Sequence, residues 1–425
     1  MDKHGGKKGL SRRSFIKLAS GGVIAVSGNW FLPKFSRGAA DEIRIGGIFE
    51  LSGGLSTIGV EQAKGAELAV KQINETGGAV SKKPGILGRQ VKLFLEDSES
   101  KVATGLAKAK KLVERDKVHI LNGIILSSAS MAIQGYVKEK KIPFVNSGSG
   151  NEEIVNPPHC NRYFFKGTYG NPQIVLAAQY GAKKHGGRWY FIADNYSWGT
   201  NCTKFFKQSI AQVTKLEVVG EDYPPFNSDN YAPYITKIKT ANPDGVAIGV
   251  CGGGYARFIK QARQMGLKTF FHHNFYSRPD VKAAGDSALG MTAGTNFLID
   301  NPTLPRSKKF AEEFKAFTGD YPGGTGADGF NSIEVICKAI LEAGSTDPEK
   351  IVDALENVVY KDGVITSAYQ FRKCDHMATF GVYVTEVVKD PKYQYDSKLI
   401  EVVKDPEVLL TPCGKTGCEE AMKKT

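Results

Sequence analysis

The chain has 425 residues, 41% of them apolar and 24% charged, which is enough for two or three lobes with sizeable cores and excludes bulk disorder. Its formal charge of +12 does not point to nucleic acid. Residues 1 to 40 hold eight Lys/Arg against Asp2 alone, leaving only +5 for the other 385 residues and no clustered arginine stripe.

The amino-terminal stretch reads as an address. Lys3, Lys7, Lys8, Arg12 and Arg13 form a basic region, an apolar Gly/Ala-rich segment runs from Leu18 to Leu32, and Lys34, Arg37 and Ala39-Ala40 come after it. The run Ser11-Arg12-Arg13-Ser14-Phe15-Ile16-Lys17 resembles a twin-arginine export signal. Glycines and Pro33 break the apolar segment, arguing against a membrane span, and a basic tail on a short core helix is the plainer alternative. Residues 1–40 are therefore set apart from the fold, with the Tat translocase as a partner during export and the periplasm as the destination.

From Glu42 the pattern alternates strand and helix. Ile43 to Phe49 reads as a buried strand, Leu51-Ser52-Gly53-Gly54 as a turn, and Ala66, Ala69, Val70 and Ile73 as one helix face that Gly77-Gly78 caps. A strand from Gln90 to Leu95 and a helix marked by Val102, Leu106, Ala109 and Val113 come next. Val118 to Leu126 is a third strand, Ser127 to Ser130 a turn, and Met131, Ile133 and Val137 a helix face leading to a strand over Ile142 to Val145. Such a βαβαβαβ series implies a parallel sheet with right-handed crossovers. Its small-residue turns, Ser127 to Ser130 and Ser147 to Gly150, leave the carboxyl edge, where helix N-termini and free N–H groups gather and ligands bind.

A second series begins after Phe164, with strands over Trp189 to Ala193, Val218-Val219, Val246 to Val250 and Phe270 to Phe275. Its edge turns fall at Tyr196 to Trp198, Cys251 to Gly254 and His272 to Tyr276. Helices over Ser307 to Thr318, Phe330 to Glu342 and Pro348 to Glu356 then return the chain to the first lobe, and strands through Ile365 and Val382 to Val387 return it to the second. The expected fold class is α/β, two doubly wound parallel-sheet lobes. Residues 42–163 with 293–363 make lobe 1, residues 164–292 with 364–403 make lobe 2, and residues 404–425 form a surface tail.

Seven cysteines leave at least one thiol unpaired in a monomer. Cys337 lies in an apolar helical run and reads as core. Cys413 and Cys418 are close enough to close a small loop, Cys160 and Cys374 lie in loop-rich segments, and Cys202 sits at a helix start; the pairing stays open. No Cys/His spacing suggests a metal, and His272-His273 would point to opposite faces of a strand. No cofactor fingerprint or hydrolase motif is present, and Cys374-Asp375-His376 are sequence neighbours, whereas catalytic partners converge from separate segments. An enzyme is not expected.

Several short motifs occur in a specific order: Leu51-Ser52-Gly53 with Gly59; Gly65, Leu68-Ala69-Val70 and Ile73-Asn74 before Gly77-Gly78; Asp97; Gly123 with Ser127; Ile142-Pro143; and Gln261-Ala262-Arg263 with Gly266-Leu267. Together they resemble the type I periplasmic solute-binding proteins of ATP-driven importers, in the branched-chain amino acid branch, over nearly all of residues 42 to 400. The resemblance implies two lobes joined by a three-crossover hinge that closes on a ligand. It also implies that Ser127, by hydroxyl and N–H, and Gly148, by N–H, hold a ligand carboxylate. The Thr or Ser that would complete this site falls on Gly150, with Ser149 as a substitute. Trp198 corresponds to the aromatic that closes over the ligand, with Tyr196 beside it.

Departures from the family pattern concern the other end of the ligand. The acidic position for a ligand ammonium falls near Phe275, in a stretch that includes Tyr276 and no carboxylate; another acidic position falls on Asn171, and an aromatic one on Cys251. Burying an ammonium without a counter-charge costs several kcal/mol. This argues for a carboxylate without an amino group, aromatic in character, over a plain α-amino acid, unless Asp328 reaches the cleft. Each residue has a plainer reading: Ser127 as a helix cap, Gly148 and Ser149 as a tight turn, the aromatics as packing. The expected role is capture of a small amino acid or organic carboxylate for an ABC permease and its ATPase; a sensory module reporting to a signalling partner is the alternative.

Overall fold

A computed structural model of the protein describes residues 42–423. Residues 1–40, expected to carry an export signal, lie outside the described residues. The first sheet contains β1 (Glu42–Phe49), β2 (Gln90–Asp97), β3 (Ile120–Gly123), β4 (Phe144–Asn146) and β5 (Phe164–Lys166), in the order β2-β1-β3-β4-β5. Every pairing in it is parallel. β3, β4 and β5 are buried along their whole length, which explains why they read as short continuous apolar runs.

The second sheet begins with β6 (Arg188–Ala193), β7 (Glu217–Asp222), β8 (Gly245–Gly249), β9 (Phe270–Phe275) and β10 (Thr292–Thr295). A small pair, β11 (Gln370–Phe371) and β12 (Ala378–Thr379), stands apart from it. The hairpin β13 (Tyr383–Asp390) and β14 (Gln394–Val402) completes the order β14-β13-β10-β9-β8-β6-β7. β6 to β10 pair in parallel and the hairpin joins antiparallel to β10, so the strands that arrive last occupy the edge.

The first sheet's crossovers contain three helices, α1 (Ser56–Thr76), α2 (Val102–Glu114) and α3 (Ser127–Lys140). Gly77 caps α1 at φ 89°, its N–H donating to the Ile73 carbonyl, as Gly77-Gly78 suggested. α1 packs against the helix Gly324–Ala343 through glycines. A Cβ on Gly65 would lie 2.0 Å from the Gly326 carbonyl oxygen, and one on Gly329 would lie 2.0 Å from that of Gln62. Only glycine lets these two backbones meet, and this contact returns the late helices to the first sheet.

Several expected boundaries move. Strand β3 ends at Gly123, the backbone turns at Ile124 (φ 54°), and α3 starts at Ser127 itself, so Ser127 to Ser130 are helical residues instead of a free turn. Phe164–Lys166 pairs with β4 in the first sheet, although residue 164 was expected to open lobe 2. Thr292–Thr295 pairs with β9 in the second sheet, although lobe 1 was expected to resume at 293. Much of the segment after 364 also stays with the first sheet: Met377 bridges Lys166, the His376 ring stacks on Phe165 at 4.0 Å, and Tyr369 donates to the Gly167 carbonyl at 2.8 Å.

The carboxyl-terminal tail is stapled down. Cys418 pairs with Cys160 and Cys413 with Cys374, so Cys413 and Cys418 do not close a loop with each other. Both bonds tie the tail to the segments flanking β5 and β11. Cys202, Cys251 and Cys337 are free and buried.

Candidate functional site

The carboxyl edges of the two sheets face one another across a cleft. The first-sheet side contributes Ile58 from α1, Ile125 after β3, and Gly148 and Gly150 after β4; Thr325 joins them from the helix that packs on α1. Tyr169 comes from the first crossover, Tyr196 from the turn after β6, Trp198 from the start of the helix Ser197–Ala211 and not from the expected turn, Cys251 from the turn after β8, and Phe275 from the end of β9. About 10 Å³ is open to the centre of a water-sized molecule, room for roughly one water. An organic ligand therefore enters only when the two sides part.

The shut state is held by polar contacts across the cleft. Thr57 on α1 donates to Asp280 at 2.8 Å, and Asp280 also accepts from the Gly252 N–H at 3.1 Å. Gly253 donates to the Gly54 carbonyl at 3.3 Å, and the Asn151 amide donates to the Ser197 carbonyl at 3.1 Å. Burial raises the Asp280 carboxyl to about 6.

Four aromatic rings make a continuous wall. Tyr196 stacks on Trp198 at 5.9 Å, Trp198 meets Phe275 edge-on at 6.4 Å, and Phe275 meets Tyr169 at 5.7 Å. Gly150 is what lets Trp198 come so near, since a Cβ there would lie 2.7 Å from the indole Nε1. The hydroxyl residue expected at position 150 would collide with the ring. Beside these rings, the Cys251 thiol is 3.6 Å from both the Tyr196 hydroxyl and the Asp194 carboxylate, and burial pushes the thiol's pKa well up. Burial likewise raises Asp194 to about 7.

Of the residues singled out from sequence, Gly148, Trp198, Tyr196, Cys251 and Phe275 line the cavity, and Ser127, Ser149, Asn171 and Tyr276 do not. Ser127 is fully buried at the start of α3, with its hydroxyl unpartnered. Ser149 turns inward, its hydroxyl donating to the Ile124 carbonyl at 3.0 Å. Asn171 is spent on the Asn201 side chain at 2.8 Å and accepts from Asn274 at 3.2 Å. Tyr276 faces the other way from Phe275, as alternate residues of extended chain do, and its hydroxyl reaches the Tyr395 carbonyl at 3.5 Å. Asp328 stays off the wall and accepts from Thr168 at 3.0 Å and Asn296 at 2.9 Å, one residue from each of two crossovers.

Glu50 and Lys166 are two of the buried charged residues that the sequence pattern did not single out. Glu50, immediately after β1, is fully buried and accepts from the N–H groups of Ile125 at 3.1 Å and Leu126 at 2.9 Å. The chain's own carboxylate thus fills the donors just ahead of α3, and burial raises it to about 7. Lys166 ends β5, fully buried, with its ammonium on the carbonyls of Ser149, Thr168 and Tyr169. Burial lowers it to about 7. Each interrupts an apolar strand at the carboxyl edge, and that interruption is the signal sequence reading could have used.

The sequence profile of the periplasmic binding proteins matches residues 42–392, most of the chain. The chain belongs to this family. It is a type I member of the branched-chain amino acid branch. A Leu/Ile/Val-binding protein homologue of Brucella abortus is 26% identical over 382 residues, covering 84% of this chain and 87% of that protein. A leucine-binding protein of Thermotoga maritima superposes with a TM-score of 0.76 at 21% identity, covering 86% of this chain and 100% of that one. A solute-binding protein of a Rhodopseudomonas palustris ABC transporter, solved in complex with 4-hydroxybenzoate, gives 0.76 at 21% identity, covering 86% and 98%. Among the described residues of this binding protein, no helix is long and apolar enough to cross a membrane and no cluster could hold a metal ion. His272 is bonded to Thr292 and His273 to the Val250 carbonyl, each at 2.8 Å, and burial keeps both neutral.

Proposed function

We propose that this protein is the exported receptor of an ABC importer. On this reading it captures a small organic carboxylate, aromatic in preference, between its lobes and presents the closed form to a permease and its ATPase. The observation that carries the reading is the wall itself: Tyr169, Tyr196, Trp198 and Phe275 in ring contact, facing a backbone turn at Gly148 and Gly150, with no charged side chain among the lining residues. An apolar slot with a few backbone donors at one end suits a flat ring bearing one anionic group. It does not suit a free ammonium, which would be buried against Phe275 with no carboxylate on the wall. The R. palustris protein held 4-hydroxybenzoate on the same fold, which supports the reading. Export through the twin-arginine route rests on Ser11 to Lys17.

The test is a thermal-shift panel of benzoate, 4-hydroxybenzoate, leucine, isoleucine and valine, because a ligand that binds only the native state raises its apparent stability. The benzoates should give the larger shifts. Stabilisation by leucine, isoleucine or valine alone would sink the preference.

A further inference from the structure

Lys166 is among the most deeply buried cations of the described residues, and its bonding is unusual. Its ammonium meets three carbonyls, those of Ser149, Thr168 and Tyr169, and no carboxylate. The acidic groups within electrostatic reach are engaged elsewhere: Asp328 by Thr168 and Asn296, and Glu152 by Asn156. The charge is thus solvated by peptide dipoles and not cancelled by contact.

One of those dipoles belongs to the cleft. The Ser149–Gly150 peptide is planar and trans, so its N–H points opposite to its carbonyl. With the carbonyl on Lys166, which is not part of the cavity wall, the Gly150 N–H is turned toward the side where Gly150 does line the cavity. Neither this N–H nor that of Gly148 has a hydrogen-bond partner among the described residues. The family's side-chain hydroxyl is missing at position 150, and a buried cation stands behind the same peptide.

We propose that Lys166 is a positioning residue for ligand charge, fixing the Ser149–Gly150 peptide with its N–H toward the cleft and supplying, through that peptide, the positive potential that selects a carboxylate. This assignment rests on the proposal that the ligand is a carboxylate. Backbone dipoles oriented before the ligand arrives stabilise its charge without reorganising, and a low-dielectric surrounding strengthens the effect. A purely structural lysine, joining the turn to the crossover, would support any ligand of the right shape equally.

Binding of benzoate and of benzamide, the neutral isostere, separates the two roles. Wild-type protein should prefer benzoate. In Lys166→Met the ratio of benzoate to benzamide affinity should fall at least tenfold, with benzamide binding within about threefold of wild type. Equal losses for both probes, or an unchanged ratio, would overturn the assignment. Lys166→Gln keeps amide N–H donors for the carbonyls and removes the charge, so the ratio should fall severalfold there too; this variant decides the matter if Lys166→Met fails to fold, and an unchanged ratio there overturns the assignment. Wild-type protein that binds neither probe, or prefers benzamide, would bring down the carboxylate reading itself and this assignment with it.

Discussion

The two sides of the cleft are built from different materials. The first-sheet side is mostly small and main-chain, with Gly148 and Gly150 on the surface and the buried charges of Glu50 and Lys166 behind them. The second-sheet side is mostly aromatic side chain, with Tyr196, Trp198 and Phe275 on the surface and Asp194 behind. Backbone donors can serve any carboxylate, whereas a set of rings accepts only the body that fits between them. One side therefore suits what a class of ligands has in common and the other suits what distinguishes them.

The largest way to break that contrast is Trp198→Ala. It removes the ring that links Tyr196 to Phe275, and truncating a buried aromatic at a binding centre costs about 2–4 kcal/mol. Benzoate affinity measured by calorimetry should fall roughly 30- to 1,000-fold. A loss below tenfold would mean that the aromatic side does not carry recognition.

A smaller effect comes from the charges behind the first-sheet side. Glu50 has a folded pKa of about 7, above the ordinary carboxylate value because of burial, so the folded state binds its proton more tightly than the unfolded state does. The sign is then fixed: this group disfavours folding increasingly as pH rises from about 4 to about 7, and the effect is absent below that range. Glu50→Gln keeps an oxygen for the Ile125 and Leu126 N–H groups and removes the charge. Relative to wild type it should gain stability at pH 8, by about 3 kcal/mol, and show no gain at pH 4. Urea denaturation at the two pH values measures this, and a gain independent of pH would show that burial does not shift the carboxyl from its unfolded pKa.

The smallest effect probes the contact between the sides. Thr57→Val deletes the hydroxyl that reaches Asp280, a net hydrogen bond worth about 1 kcal/mol. Ligand dissociation followed by stopped flow should speed up by about fivefold with association nearly unchanged, since the bond exists only when the lobes are shut. Equal slowing of association would place Thr57 in ligand entry instead.

Much of the fold was legible because its signals are local. Buried parallel strands read as apolar runs, helices show their period, and Gly77 marks an end by the one backbone conformation that favours it. The family pattern was legible for the same reason, being a series of turns and glycines in order. The site was legible only in part. Trp198, Tyr196, Phe275, Cys251 and Gly148 come to the wall, but Ser127, Ser149, Asn171 and Tyr276 lie off it, the last three satisfying partners elsewhere. Position in a motif fixes where a residue sits along an edge and does not fix which way its side chain turns.

By itself, then, the amino-acid order determined two α/β lobes, their crossovers, the edge where ligands gather and the absence of an acid at Phe275. Tertiary structure alone decided that Glu50 would take the N–H groups before α3, that Trp198 would press on Gly150, and that Lys166 would bond the Ser149 carbonyl. The same holds for the pairing of Cys160 with Cys418 and Cys374 with Cys413. The physical reason is range. Periodicity and turn chemistry act over a few residues, whereas burial, charge and ring contact depend on groups brought together from distant parts of the chain.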